Sequence, residues 1–580
     1  MIEFVAANIA PIMFGAVMLF LLSGFPVAFS LAACGLVFGF IGIELGLLPA
    51  TLFQALPLRV FGIMQNDTLL AIPFFTLMGL ILERSGMAED LLETAGQVFG
   101  PIRGGLALSV LFVGSLLAAT TGVVAAAVIS MGLISLPIML RYGYNPALAC
   151  GTITASGTLA QALPPSLVLI VVADQLGASV GDMYRGAFTP AFMLIGCYAV
   201  FIVGLAIFAP RLVPALPMEA RTFREADGTS GGRSLLVLST LVIGVSIVFG
   251  HYYGDLLGWL QGGPAQDPAR DETVVVAMTF GTVLAMLLAG LNRLLRLGLL
   301  SRMAEQLTFV LVPPLALIFL VLGTIFLGIA TPTEGGAMGA AGALLMALLR
   351  RRLDFKTLRQ ALEATTKLSC FVLFILIGST LFSFTFTAVD GNHWVEALFD
   401  KLPGGEVGFL IFVNTVVFLL GFFLDFFEIA FILVPLLAPV ADKMGIDLIW
   451  FGILIAINLQ TSFLTPPFGF ALFYLRSVTP VASFIDRITG KRIEGIRTVQ
   501  IYRGALPFVV IQLIVLGLLI AFPGLVTDSL DRPEEVDLDT IRIEAPAGDS
   551  WGESGGSAWG ESSGGNDSGN SGDGWGDEPR

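Results

Sequence analysis

Ionisable side chains are scarce in this chain. Of 580 residues only 13% are charged and two are histidine, whereas 56% are hydrophobic and the mean hydropathy is +0.88. Soluble domains carry about 25% charge, so a soluble fold is excluded. The 4 cysteines, Cys34, Cys150, Cys197 and Cys370, sit in apolar surroundings without CxxC spacing. They read as packed thiols and leave the redox compartment open. No GxxxxGK[ST] loop is present, which excludes direct drive by ATP. Neither a Ser/His/Asp constellation nor a zinc-protease pattern stands in the apolar part, so no enzyme and no cofactor are expected. No nucleic-acid partner is expected either. The net charge of −14 is local: residues 528–580 hold 14 acids and 3 bases, a balance of −11. The apolar part is nearly neutral.

What is abundant is apolar sequence of helix-spanning length, such as 187–210, 307–327 and 505–522. Barrel strands would alternate over about ten residues, so the fold class is an all-α polytopic membrane protein. Hydropathy predicts twelve spans, near 9–24, 27–47, 66–82, 147–172, 187–210, 234–250, 273–292, 307–329, 336–349, 368–388, 449–475 and 504–527. The first run begins at Ala6 without a basic flank or cleavage site and reads as a helix rather than a signal peptide. Two further apolar stretches, 106–140 and 407–440, are interrupted by polar residues, at Thr120, Thr121 and Gly122 and at Asp425. Both read as re-entrant hairpins.

A repeat organises the chain. Pro137, Arg141, Gly143 and Pro164-Pro165 recur 302 residues later as Pro439, Lys443, Gly445 and Pro466-Pro467. Each copy is a hairpin, a short loop, then a long apolar helix broken by two prolines, the pattern of a transporter built from two halves. The expected division is an N-terminal half 1–210, an insertion 211–303 with two extra spans, a C-terminal half 304–527 and a disordered Gly/Ser/Trp-containing acidic tail 528–580. The positive-inside rule places on the cytoplasmic side the loops holding Arg221, Arg224 and Arg233, then Arg293, Arg296 and Arg302, then Arg350, Arg351, Arg352, Lys356 and Arg359, then Arg487, Lys491, Arg492, Arg497 and Arg503. On that count both termini lie outside, Arg141 inside and Lys443 outside. The repeats therefore enter from opposite faces.

An X-Pro-Pro step in mid-span removes two backbone donors and frees carbonyls that hydrocarbon does not tolerate. Thr152, Thr154, Ser156 and Thr158 precede the first break, and Asn458, Thr461, Ser462 and Thr465 the second. Hydroxyl, amide and backbone oxygens form a hard, weakly charged site suited to Na+. The alternative is a proline kink whose hydroxyls bond back to their own helix. Asp425 lies between Leu424 and Phe426, where an ionised carboxylate costs several kcal/mol unless paired or ligated. It reads as a cation ligand, or as a carboxylate sealing a buried structural bond, with Glu428 close by. Thr331-Pro332-Thr333-Glu334 reads as a helix start, followed by glycines that permit close packing. A subunit that moves ions alone, in a redox or antiporter complex, would need buried Lys, Glu or His chains that are not seen beyond Asp425 and Glu428.

With these motifs the sequence resembles the large membrane (permease) subunit of tripartite ATP-independent periplasmic (TRAP) transporters. The matching stretches are LLAIPFFTLMG (69–79), GYNPALACGTITASGTLAQALPPSL (143–167), GIATPTEGGA (328–337) and the long run FLDFFEIAF to FGFALF (423–473). The resemblance implies an elevator-type mover in the bacterial inner membrane, with sodium ions as coupling ions. It also implies a small membrane subunit, a periplasmic binding protein and a small organic acid as substrate, with lipid around the chain. Sodium ligands are expected among Thr120, Thr121, Gly122, Ser156, Gly157, Asp425, Asn458, Thr461 and Thr465. The substrate carboxylate is expected against Thr154, Pro164, Pro165, Pro466 and Pro467. The first tip reads ATTGVV where the family usually has a Ser-Gly-Ser-Ala-like run, so ligation there rests on threonine and backbone oxygens. The insertion resembles the extended branch associated with mannitol, chloroaromatic and 2-oxo acid systems, which implies a 2-oxo or other monocarboxylate.

Overall fold

The computed structural model describes residues 2–220, 232–262, 268, 270–295, 300–486 and 489–530. Nearly all of the acidic tail therefore lies outside the described residues, as do Arg221, Arg224, Arg296 and Arg487 of the basic loops. The described chain is helical apart from one pair of two-residue strands, β1 (Phe484–Ile485) and β2 (Arg492–Ile493), joined antiparallel.

The first half runs α1 (Ile2–Ala7), α2 (Ile9–Leu22), α3 (Val27–Glu44), α4 (Leu56–Met64), α5 (Ala71–Arg84) and α6 (Met87–Phe99). It continues with the hairpin α7 (Gly105–Thr121) and α8 (Val124–Arg141), the broken helix α9 (Pro146–Thr158) and α10 (Leu167–Leu176), and α11 (Val180–Phe208). The insertion supplies α12 (Gly232–His251), α13 (Tyr253–Gln261) and α14 (Arg270–Leu295). The second half runs α15 (Arg302–Phe326), α16 (Pro332–Leu349), α17 (Phe355–Ala388) and α18 (Gly391–Phe399). There follow the hairpin α19 (Gly405–Leu420) and α20 (Phe426–Lys443), the broken helix α21 (Leu448–Leu464) and α22 (Phe470–Val478), then α23 (Thr498–Ala521) and α24 (Gly524–Thr527).

The offset of 302 holds at the level of elements: α8 and α20 start at Val124 and Phe426, α9 and α21 at Pro146 and Leu448. Both of these broken helices are capped at the same place, by Asn145 accepting from Ala147 and Leu148 and by Asp447 accepting from Trp450. Such caps satisfy donors that a helix cannot pair internally. The halves interlock. Helix α3 packs along α17 while α16 packs along α5, and α8 lies on α22 while α20 lies on α10. In each of these pairs one partner comes from each half.

Lipid is as apolar as a leucine side chain, so helices in a membrane associate through close packing and interhelical hydrogen bonds. Helices α9 and α23 meet where Gly151 faces Gly504; a Cβ on Gly504 would stand 1.8 Å from the backbone oxygen of Ala147. On α17, Thr385 Oγ1 donates to the backbone oxygen of Gly35 at 2.9 Å.

Three features exceed the hydropathy reading. Helix α17 begins at Phe355, 13 residues before its predicted span, because Asp354 caps it and Lys356, Arg359 and Glu363 lengthen it with a polar stretch. Helices α6 and α18 are short and amphipathic; Asp90 of α6 is held by Arg350 at 3.3 Å and Arg352 at 3.1 Å. The basic ends of both hairpins are also latched: Arg141 to Asp486 at 3.0 Å, and its repeat equivalent Lys443 to Glu396 at 2.8 Å. The Thr489 hydroxyl, and then Arg141, hold the Asp486 carboxyl down at about 2. A lowered folded-state pKa contributes stability above the ordinary carboxylate range, lost only as pH falls toward 2. The latch is therefore fully charged at neutral pH.

Replacement of Gly504 by Ala is expected to lower the thermal midpoint, at a cost of about 1–3 kcal/mol from overpacking. Gly517→Ala in the same helix, where nothing lies within 4 Å of the added Cβ, should leave the midpoint unchanged or slightly higher.

Candidate functional site

The first break begins where α9 passes into a short 3-10 turn, Leu159–Gln161, and ends at Ser166. Proline lacks an N–H, so carbonyls upstream of Pro164-Pro165 lose their helical donors. Ser166 repairs part of that loss: its hydroxyl donates to the Gln161 backbone oxygen at 2.9 Å and accepts from Val168 N at 3.2 Å. In the second copy Gly469 N donates to the Thr465 backbone oxygen at 2.9 Å, and the Tyr502 hydroxyl donates to that of Pro467 at 3.2 Å. The bonds Pro164-Pro165 and Pro466-Pro467 are both cis. The copies differ in access. Residues 161–170 are all buried, whereas Pro467 and Phe468 are exposed.

Each break is flanked by a hairpin. At the first tip Gly122 has φ +59°, a left-handed turn that favours glycine, and a Cβ there would stand 2.9 Å from Leu167 at the start of α10. The first arms lie on the broken helices, with Gly114 against Ser156 and Gly421 against Ser462. Helix α21 also packs on α9, on the turn 159–161 and on α10, so the two breaks belong to one region of the core. At the second tip Asp425 accepts from Phe426 N at 2.8 Å, while Glu428 accepts from Asp425 N at 2.9 Å. Two carboxylates thus cap α20 reciprocally. Val123, the counterpart at the first tip, makes no side-chain cap.

The hydroxyls near the breaks bond back to their own helices. Thr120, Thr154, Ser156, Thr158, Thr461, Ser462 and Thr465 each donate to a carbonyl three or four residues earlier, at 2.8 to 3.1 Å. Such bonds consume the hydroxyl proton and leave oxygen lone pairs for another donor or a cation. Among the described residues, buried oxygens without a partner near the breaks include Thr121 Oγ1 at the first tip, Gln161 Oε1 in the turn of the first break, and Asn458 Oδ1 and Asn414 Oδ1 where α21 meets α19. Asn458 Nδ2 meanwhile donates to the Asn414 backbone oxygen at 2.5 Å. Unpaired buried acceptors are costly unless something fills them, and a hard cation such as Na+ suits oxygen donors of this kind.

The remaining expected residues divide. Gly157 packs against Val128 of the first hairpin, and Thr154 is fully buried in α9. Pro164 borders an apolar cleft of 1430 Å³ between α7, α11 and α15 of the core and α12 and α14 of the insertion. Thr465 and Pro466 are half-buried beside the exposed Pro467. Thr331 and Glu334 form a capping box for α16, whose glycines pack on Phe74, Phe75 and Met78 of α5. Sequence reasoning missed Asn414, and it missed Gln460, Gln512 and Tyr198, which face one another across α21, α23 and α11 in full burial. The available signal was an isolated amide inside an apolar run.

A family model described as "Tripartite ATP-independent periplasmic transporter, DctM component" matches residues 14–525. The chain is 26% identical over 472 residues to the C4-dicarboxylate TRAP transporter large permease protein DctM of Pseudomonas aeruginosa, covering 81% of this chain and 88% of that protein. It is 23% identical over 504 residues to the sialic acid TRAP transporter large permease protein SiaM of Vibrio cholerae, covering 87% and 94%. It is 24% identical over 469 residues to the isethionate TRAP transporter permease protein DctMQ of Oleidesulfovibrio alaskensis, covering 81% of this chain and 60% of that protein.

The double role open to Asp425 is separable. Asn caps helices about as well as Asp, so Asp425→Asn is expected to change the melting temperature little, whereas Asp425→Ala should cost about 1 kcal/mol as a lost cap. Equal destabilisation by both, measured by thermal unfolding, would mean that the charge itself holds the tip.

Proposed function

Because the chain belongs to the DctM family of tripartite ATP-independent periplasmic transporters, matched over residues 14–525, we propose that it moves a small organic carboxylate inward together with Na+. It is a transport component rather than an enzyme. The observation that carries the sodium reading is the pair of proline-broken helices, each against a hairpin, with unpartnered buried oxygens on Thr121, Asn414 and Asn458. Sodium ligands are drawn from Thr120, Thr121, Gly122 and Ser156 around the first break. Asp425, Asn458, Thr461 and Thr465 supply them around the second. The exposed Pro467 and Phe468 give the second break its access route.

The relatives are named for C4-dicarboxylate, sialic acid and isethionate, all anions at neutral pH. Each net positive charge moved inward gains about 2.3 kcal/mol per 100 mV. Two sodium ions with a monoanion therefore draw on voltage as well as on the gradient, which makes accumulation without ATP reasonable. A 2-oxo or other monocarboxylate is the substrate favoured by the length of the insertion. The hairpins and broken helices move as an elevator against α2, α3, α5, α16 and α17, in the inner membrane with both termini outside. A small membrane subunit and a periplasmic binding protein complete the assembly. The working division is 1–210, 211–303 and 304–527.

The test is uptake in proteoliposomes holding the chain with its small subunit and binding protein. Uptake should fall sharply when sodium is replaced by potassium, and Asp425→Asn and Asn458→Ala should each shift the sodium dependence to higher concentration. Uptake indifferent to the cation, or to both substitutions, would place coupling elsewhere.

A further inference from the structure

A second polar feature lies away from the breaks. Helix α4, the end of α10, the last turns of α17 and the middle of α20 line an open crevice of 470 Å³, with Arg59 and Thr387 exposed at its surface. Arg59 of α4 stands in its wall, 5.6 Å from the ring centre of Phe384, and no described carboxylate pairs with it. In the same crevice, Thr380, Ser383 and Thr387 follow one another at three- and four-residue spacing, so α17 presents a stripe of hydroxyls on one face. Thr387 is exposed and Thr380 and Ser383 are half-buried, and none of the three hydroxyls bonds to a described residue.

The rest of the lining is already satisfied. Pro435 lacks an N–H and frees the Phe431 carbonyl, and the Ser379 hydroxyl donates to that oxygen. Asp174, the acid next to the lining residue Gln175, is held at both oxygens, by Asn66 Nδ2 at 2.7 Å and Gln175 Nε2 at 2.9 Å. What remains is one exposed guanidinium, resting on the Phe384 ring, and three hydroxyls, all able to donate. That set is complementary to a single anionic group of planar shape, since guanidinium pairs with carboxylate through two parallel N–H bonds.

We infer that this crevice is a recognition site for the substrate's carboxylate, with Arg59 as its anion-binding residue, separate from the sodium ligands at the breaks. The inference rests on the carboxylate reading of the preceding subsection and adds where the carboxylate is first held. One fixed positive charge matches one carboxylate, and the other end of the substrate reaches down the hydroxyl stripe toward α20. The crevice is bounded by α17 on one side and by α10 and α20 on the other. Movement of the hairpin and broken helices past α17 would therefore change its shape and release the anion inward.

The test uses the purified full chain in sodium-containing buffer, its thermal midpoint titrated with pyruvate, succinate and benzoate as sodium salts against equal sodium chloride. Wild type should be stabilised by at least one of these, and Arg59→Ala should need about tenfold more of it or higher, the loss expected for a charge-assisted hydrogen bond. Arg59→Lys should lie between, because a point charge replaces the fork. The double variant Ser383→Ala/Thr387→Ala should weaken the carboxylate response without touching the arginine. The midpoint shift from sodium chloride itself should be the same in all of them. Equal carboxylate titration in wild type and Arg59→Ala, or no carboxylate effect on wild type, would overturn the assignment. Loss of the sodium response in wild type would instead overturn the sodium reading and leave Arg59 in place.

Discussion

Hydrocarbon offers no partner to a backbone N–H or C=O, and the irregular stretches in the core of this protein are arranged around that constraint. Both proline breaks sit where other elements can cover them: a hairpin tip, the opposite broken helix and a serine or tyrosine hydroxyl. The hairpins obey the same rule. Their tips turn at Gly122, which is buried, and at the Asp425–Glu428 cap, which is half-buried and satisfies its own backbone donors. Even the interior Pro435 has its freed carbonyl taken up, by Ser379 from a helix of the surrounding frame.

The interlocking of the halves follows from this. A half-helix that ends in mid-membrane needs neighbours on all sides, and its own half supplies only some of them. Helix α8 therefore reaches α22, and α20 reaches α10, while α3 with α17 and α16 with α5 exchange in the frame. Glycine at Gly151 and Gly504 lets backbones approach where side chains would hold them apart. The result is a core in which the two breaks share one region, while their access differs: buried at Pro164-Pro165, exposed at Pro467.

Most of the helix order was legible because it rests on long-range regularities of the chain. Apolar length marks spans, and the 302-residue offset of prolines, basic residues and glycines marks the two copies. Short amphipathic helices such as α6 and α18 were not legible, since nine to thirteen residues with charges resemble a loop in a hydropathy window. The start of α17 was hidden for the same reason. At the site, residue types pointed to hydroxyl and carboxylate oxygens near the breaks. What each oxygen bonds to was legible only as one of two alternatives, ligation or local bonding. Asp425 serves as a helix cap, and the break hydroxyls bond to their own backbone, while Asn414, which no motif marked, carries one of the unpartnered oxygens.

The sequence by itself determined the class of solvent around the chain, the number of apolar segments, the twofold repeat and the position of both breaks. Those depend on composition and spacing, which are properties of the chain alone. Only the tertiary structure decided which half-helix meets which hairpin arm. It also decided which buried oxygens stay unpaired, and that Arg59 and the hydroxyls of α17 share one crevice though some 320 residues separate them. Those depend on the exchange of partners between halves, a contact order that no local window of residues contains.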